Sequence, residues 1–171
     1  MQKCVFLDRD GVLNQDIEGY LYQPEEIIIP EGVIEGLQQM KEAGYLLIVV
    51  TNQAGIAKRL YSKTDVWKCH QHLQEKCGHI LDDLYYCSHH PDHDSRSLMR
   101  KPESLMLEKA IAKYNIDTTQ SWIIGDRPTD MQAGRRAGVR TIYLSNNTCE
   151  TVSDKRVANF LEATQTVIGA V

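Results

Sequence analysis

The sequence has no long hydrophobic run. Its longest purely apolar stretch is Leu46–Val50, against the ~20 residues a membrane helix needs. A secretory leader is not expected either, because a strand-like segment already begins at Cys4. Cysteine is sparse. Cys4, Cys69, Cys77, Cys87 and Cys149 form an odd, scattered set of five, without the spacing of a disulfide framework, which suits a reducing compartment. The cytoplasm is therefore the expected location. Positive charge is also short, with 19 Lys and Arg against 23 Asp and Glu and a net charge of −4. Such a surface offers nucleic acid or an anionic membrane no bulk attraction, so a bound phosphate must be held by a local site. Repeats, low-complexity tracts and linkers are missing too, and 171 residues suit one domain over 1–171.

Strand-like and helix-like segments alternate along the chain, which predicts an α/β fold: a doubly wound, Rossmann-like parallel sheet with helices on both faces. Cys4–Leu7 reads as the first strand, followed by a long loop over 14–30 broken by Gly19, Tyr20 and Pro24. Val33, Ile34, Leu37 and Met40 recur at helical spacing before Gly44, and Leu46–Val50 is a buried strand running into Thr51. Ser62 and Asp65 have capping-box spacing. Further strands are expected at Asp83–Cys87, Trp122–Gly125 and Arg140–Leu144. Helices are expected from Pro102 and over Pro128–Ala137, then a closing turn and last helix after Ser145.

The chemistry begins where the first strand stops. Asp8 and Asp10 stand one residue apart, followed by Gly11. Two carboxylates that close repel unless a cation shares the site. At the carboxyl end of a parallel strand they face the crevice where such sheets bind ligands. Three more polar clusters follow apolar strands or open helices: Thr51/Asn52, Arg100/Lys101 and Asp126/Asp130. Taken singly, Thr51–Asn52 caps a turn, Lys101 is a solvated lysine and Asp126 caps a helix. Together they are the inventory of phosphoryl transfer, which needs positioning and charge neutralisation more than covalent work.

Asp8-Arg9-Asp10, Thr51, Lys101 and Gly125-Asp126 with Asp130, in this order, resemble the haloacid dehalogenase superfamily of phosphatases. A finer likeness lies in Asp8-Arg9-Asp10-Gly11 with Asn14, Thr51-Asn52-Gln53-Ala54-Gly55, Arg100-Lys101-Pro102 and Ile124-Gly125-Asp126. These look like the branch holding the heptose 1,7-bisphosphate 7-phosphatases and the histidinol phosphatases. Asn14, Asp16 and Gly19-Tyr20 lean towards the first group, and Asp126-Arg127 with Thr129-Asp130 towards the second; heptose bisphosphate is favoured.

The resemblance implies a Mg²⁺-dependent phosphomonoesterase acting on a small phosphorylated sugar or polyol. Asp8 would be the nucleophile forming an aspartyl-phosphate, and Asp10 the general acid and base. Thr51 and Lys101 would complete the catalytic set. Asp16, Asn52, Arg100 and Arg127 would contact substrate. Mg²⁺ would bind Asp8, the backbone carbonyl of Asp10, and Asp126, with Asp130 orienting the Asp126 loop. No large cap domain is expected, because the segments after Asp10 and after Gly55 are too short for one.

The family's zinc loop is only half present. Cys87-Ser88-His89 keeps the first pair, and Ser97-Leu98-Met99 stands where the second would be. Cys87, His89, His93 and Asp94 could together form a zinc site; a metal-free loop is the expectation. A phospho-acceptor signalling module would share the acceptor aspartate, Mg²⁺, Thr and Lys. The second acid at Asp10 argues for turnover instead. A nucleic-acid end phosphatase is disfavoured by the net charge.

Overall fold

A strand buried on both faces sets the architecture. In β1 (Cys4–Leu7), Cys4 and Phe6 enter one hydrophobic cluster and Val5 and Leu7 enter another, and all four are buried. That pattern requires layers on either side. The computed structural model describes residues 1–145 and 152–169; Cys149 lies outside the described residues.

The remaining strands are β2 (Leu46–Asn52), β3 (Asp83–Cys87), β4 (Trp122–Gly125), β5 (Arg140–Leu144) and β6 (Lys155–Val157). Their order is β3-β2-β1-β4-β5-β6, with every pair parallel. All named strands among the described residues belong to this one sheet. Helices α1 (Val33–Glu42) and α5 (Phe160–Ile168) cover the Val5/Leu7 face with Val33, Leu37, Met40, Phe160, Ala163 and Val167. α2 (Lys63–Lys76) packs Val66 there and turns Cys69 and Leu73 towards Leu21 and Ile27 of the long loop. On the opposite face lie α3 (Leu105–Tyr114) and α4 (Pro128–Ala137), which bring Met106, Leu107, Ala110 and Ala133 against Phe6, Ile48, Val50 and Ile123.

Several boundaries follow from local chemistry. Ser62 and Asp65 form the reciprocal capping box expected at the start of α2. Gly44 and Gly138 adopt positive φ where α1 and α4 stop. Two expectations need correction. Pro102 does not open a helix: the Glu103 amide bonds back to the Arg100 carbonyl at 2.8 Å, closing a turn first, and α3 starts at Leu105. The tail also carries the short strand β6, whose Lys155-Arg156-Val157 lacks the apolar run by which the other strands are read. No helix among the described residues is long and apolar enough to cross a membrane.

Candidate active site

Chain order reverses at β1, which lies between β2 and β4. Leu7 pairs with Ile124, so β1 and β4 end side by side, and Asp8 and Asp126 are the first residues past those ends. This is the switch point at which open α/β sheets leave a crevice. Asp130, in the first turn of α4, joins them: one carboxylate oxygen each of Asp8, Asp126 and Asp130 lie within 4.8 Å of one another. It is the only such His/Cys/Asp/Glu grouping of three or more among the described residues.

Lys101 faces this cluster from the segment before α3. Its buried ammonium lies 2.9 Å from Asp8 Oδ1 and 2.6 Å from Asp130 Oδ1, and donates to the Val50 carbonyl at 2.8 Å. Two ion pairs and one hydrogen bond thus hold the ammonium in place. Burial opposes that charge, yet Asp130 and Asp8 hold the Lys101 pKa above its ordinary value. Burial pushes the Asp8 carboxyl up to about 8; Lys101 opposes the shift, and Asp130, Asp10 and Asp126 add to it. Asp126 is pushed up to about 6, first by burial and then by Asp130, against Arg127. Its Oδ1 is buried with no hydrogen-bond partner. Lys101 and the exposed Arg127, 4.0 Å from Asp126 Oδ2, do not balance three clustered carboxylates, and an unpartnered carboxylate oxygen points to a cation site. An all-oxygen donor set fits a hard divalent ion such as Mg²⁺.

Asp130 has a second task, since its Oδ2 accepts from the Arg127 amide at 3.0 Å. It therefore ties the Asp126–Arg127 turn to α4 while facing Lys101. Gly11 and Gly125 permit the crowding. A Cβ on Gly11 would lie 2.1 Å from Asp126 Oδ2, and one on Gly125 would lie 2.2 Å from Asp130 Cβ.

Asp10 stands apart from the three carboxylates. Its Oδ1 accepts from Arg9 Nε (3.0 Å) and Asn14 Nδ2 (3.1 Å), and its Oδ2 from Arg9 Nη2 (3.0 Å) and Gln53 Nε2 (3.1 Å). A part for Asp10 in holding metal thus falls to its backbone carbonyl rather than to this engaged carboxylate. The Asn52 side chain also has a structural task. Its Nδ2 donates to the Lys101 carbonyl and its Oδ1 accepts from the Lys101 amide, both at 3.0 Å. The amide thus clamps the Lys101 segment to the end of β2, and its second Nδ2 hydrogen is left over at the cavity wall.

A cavity of about 400 Å³ opens above this floor. Asp8, Asp10, Thr51, Asn52 and Lys101 line it, as do Asp16, Arg100 and Arg127. Asp16 and Arg127 pair at 3.0 Å across the rim, both exposed. Arg100 donates to the His89 carbonyl at 3.4 Å, and His90 brings the histidine-rich loop to the wall. That loop is organised by Asp94, which contacts His89 Nδ1 at 2.7 Å and accepts from the amides of His90 and Ser95. Cys87 Sγ points instead to the His89 carbonyl, at 3.8 Å.

Sequence reasoning gave no role to Arg9, Gln53 or Tyr61. Arg9 sits between two aspartates that draw attention to themselves, yet it is almost wholly buried and also donates to the Leu21 carbonyl at 3.0 Å. A charged residue following an apolar strand was the available signal. Tyr61 gave none.

Known proteins resemble this chain in sequence and fold. The family model described as HAD-hydrolase-like matches residues 98–163. A D-glycero-beta-D-manno-heptose-1,7-bisphosphate 7-phosphatase of Haemophilus ducreyi is 40% identical, over 84% of this chain and 82% of its own length. The corresponding enzyme of Pasteurella multocida is 37% identical over 94% and 91%. The chain belongs to the haloacid dehalogenase-like hydrolases. Within that family, a D-glycero-alpha-D-manno-heptose-1,7-bisphosphate 7-phosphatase of Photorhabdus laumondii is 39% identical over 83% of this chain and 81% of its own. The fold of this haloacid dehalogenase-like hydrolase matches that of a D,D-heptose 1,7-bisphosphate phosphatase from B. bronchiseptica, crystallised with magnesium and phosphate. The TM-score is 0.87 at 22% identity, over 99% of both chains.

Proposed function

We propose that this chain is a Mg²⁺-dependent phosphomonoesterase that removes the 7-phosphate of D-glycero-D-manno-heptose 1,7-bisphosphate through an aspartyl-phosphate on Asp8. The observation that carries the reading is the Asp8–Asp126–Asp130 cluster, with Lys101 ion-paired to Asp8 and Asp130, beside a cavity of about 400 Å³ that Asp8 and Lys101 line. The names of relatives 37–40% identical over four fifths or more of the chain support the substrate.

In this reading an Asp8 oxygen attacks phosphorus and the bond from phosphorus to the sugar oxygen breaks. Asp10 gives a proton to the departing alkoxide, then takes one from the water that attacks the acyl phosphate. Phosphate leaves and Asp8 is restored. Lys101 fixes the Asp8 carboxylate for attack, and the Thr51 hydroxyl grips a phosphoryl oxygen. Arg100 and Arg127 contact the rest of the substrate from the rim, with Asp16 orienting Arg127. Asp8, Asp126 and the Asp10 carbonyl would hold Mg²⁺, which supplies charge neutralisation for the phosphoryl oxygens.

The test is phosphate release from both anomers of heptose 1,7-bisphosphate and from histidinol phosphate, with Mg²⁺ and with EDTA. A preference of ~100-fold in kcat/KM for a heptose anomer, about 2.7 kcal/mol of transition-state discrimination, is expected. Silence in EDTA and recovery on adding Mg²⁺ are expected as well. A preference for histidinol phosphate would move the substrate to that branch. Full activity after complete metal removal would sink the metal site.

A further inference from the structure

One of the four donors on Asp10 is held in turn by a side chain outside every motif read from the sequence. Gln53 Oε1 accepts from the Tyr61 hydroxyl at 2.7 Å and from Arg9 Nη2 at 3.3 Å. A guanidinium can only donate, so the Gln53 amide has one orientation. Its oxygen faces Arg9 and Tyr61, and its NH₂ group faces the site, donating to Asp10 Oδ2 at 3.1 Å and to Thr51 Oγ1 at 2.9 Å. With the amide so turned, the phenol can bond to it only as a donor.

Tyr61 is built into this place. Its ring stacks on Tyr22, with centroids 5.4 Å apart and planes 13° from parallel, and Tyr20 leans on it at 6.1 Å. Gly55 leaves the room, since a Cβ there would lie 2.0 Å from Tyr61 Cε1. Burial pushes the phenol up to about 12, and it stays an O–H donor at working pH. A buried, packed tyrosine with its hydroxyl aimed at one amide oxygen does more than fill space.

We propose that Tyr61 is a positioning residue for the proton-transfer group: acting through Gln53, it fixes where the Asp10 carboxylate stands. The proposal rests on the phosphatase reading above. Without the 2.7 Å bond, only the longer contact to Arg9 holds the Gln53 oxygen, and the amide loses its grip on both Asp10 and Thr51.

The test separates those two arms. Tyr61→Phe and Gln53→Glu are compared with wild type on heptose 1,7-bisphosphate, whose alkoxide must be protonated as it leaves, and on p-nitrophenyl phosphate, whose leaving group departs without a proton. Thr51 serves both esters equally, so a shared loss reports Thr51, and an excess loss on the sugar ester reports Asp10. For Tyr61→Phe an excess of about tenfold in kcat with unchanged KM is expected, the scale of one hydrogen bond. Gln53→Glu, which sets an acceptor against Asp10 at unchanged volume, raises the excess to about 100-fold, within the range of general acid catalysis. Equal losses on both esters in both variants would overturn the proposal. If wild type releases phosphate from neither ester, the phosphatase reading fails by itself. A crystal structure of Tyr61→Phe then decides the positioning: Gln53 and Asp10 displaced sustains it, and both unmoved overturns it.

Discussion

The two ends of the sheet handle charge in opposite ways. At the amino end, Lys41 meets both oxygens of Asp82 at 2.5 and 2.6 Å, and Asp82 also accepts from the Leu47 amide. Beside them Ser121 Oγ accepts from the Cys4 amide and donates to the Asp117 carbonyl. These charges are partly solvated and matched. At the carboxyl end the buried Asp8 and Asp130 share Lys101, the half-buried Asp126 has Arg127 at 4.0 Å, and Asp126 Oδ1, Arg9 Nη1 and Asn14 Oδ1 are buried without partners. Volume does not follow the same division. A cavity of about 540 Å³ opens at the amino end among Met1, Lys3, Lys41 and Tyr45, larger than the active-site cavity of about 400 Å³. What marks the functional end is unbalanced charge at the point where strand order reverses.

The comparison predicts that matched substitutions at the two ends differ sharply. Asp8→Asn removes the proposed nucleophile, and phosphate release is expected to fall by at least ~10⁴-fold, as for other lost nucleophiles. Asp82→Asn at the opposite end leaves turnover within about twofold, because no reacting group is near it. Comparable losses from both would erase the distinction. Stability divides next. Lys101→Met leaves Asp8 and Asp130 buried without their counter-charge, and urea unfolding is expected to show a loss of about 3 kcal/mol or more. Lys41→Met breaks a pair whose partners are 35% and 24% exposed, which solvent screens, and costs under about 1 kcal/mol.

Two glycines sharpen the point at smaller scale. Gly11 and Gly44 both have left-handed φ, +86° and +82°, so alanine strains the backbone at either by roughly 1 kcal/mol. They differ in what the new methyl meets. At Gly44 the nearest atom is the flexible Lys3 Cε at 3.8 Å, whereas at Gly11 it is Asp126 Oδ2 at 2.1 Å. Gly44→Ala should therefore lower stability alone. Gly11→Ala should also push Asp126 aside, cutting kcat/KM by about 100-fold and raising the Mg²⁺ concentration needed, since displacements near 1 Å carry such costs. Identical effects in the two variants would mean that Asp126 need not stand where it does.

The amino end and the sheet were legible because repeating patterns encode them: buried runs for strands, apolar spacing for helices, Ser62 with Asp65 for a cap. Asp8, Asp10, Thr51 and Asp126 were legible because polar groups stopped apolar runs. Arg9, Gln53 and Tyr61 were not. Their roles rest on which atom of each side chain meets which neighbour across 44 or 8 positions of sequence separation, and periodicity carries no such information. Asn52 shows the same limit from the other side. Its position at the end of β2 is readable, while its double bond to the Lys101 backbone depends on how the Arg100–Pro102 turn arrives. β6 was lost because Lys155 and Arg156 are exposed on an edge strand, where charge is expected rather than an apolar run.

Unpartnered buried groups also occur away from the active site, at Trp122 Nε1, Arg140 Nε and His70 Nδ1, and the last of these titrates near neutral pH. His70 lies on α2, away from the carboxylate cluster, with its ring edge-on to Trp67 at 5.8 Å and Nδ1 buried without a partner. Burial lowers its pKa below the ordinary value, aided by Arg9 and opposed by Asp83. An unfolded chain then binds a proton that the folded chain resists. The stability His70 supplies is thus present above its unfolded pKa, about 6.5, and drains as pH falls below that value towards the folded one. The slope stays under about 1.4 kcal/mol per pH unit, the limit for one proton. The unfolding free energy from urea titration should fall between pH 7.5 and 5.5 by a few tenths of a kcal/mol more in wild type than in His70→Leu. Equal pH dependence would mean the imidazole finds a partner on protonation, and the imbalance of charge would then be confined to the end of the sheet where the chemistry lies.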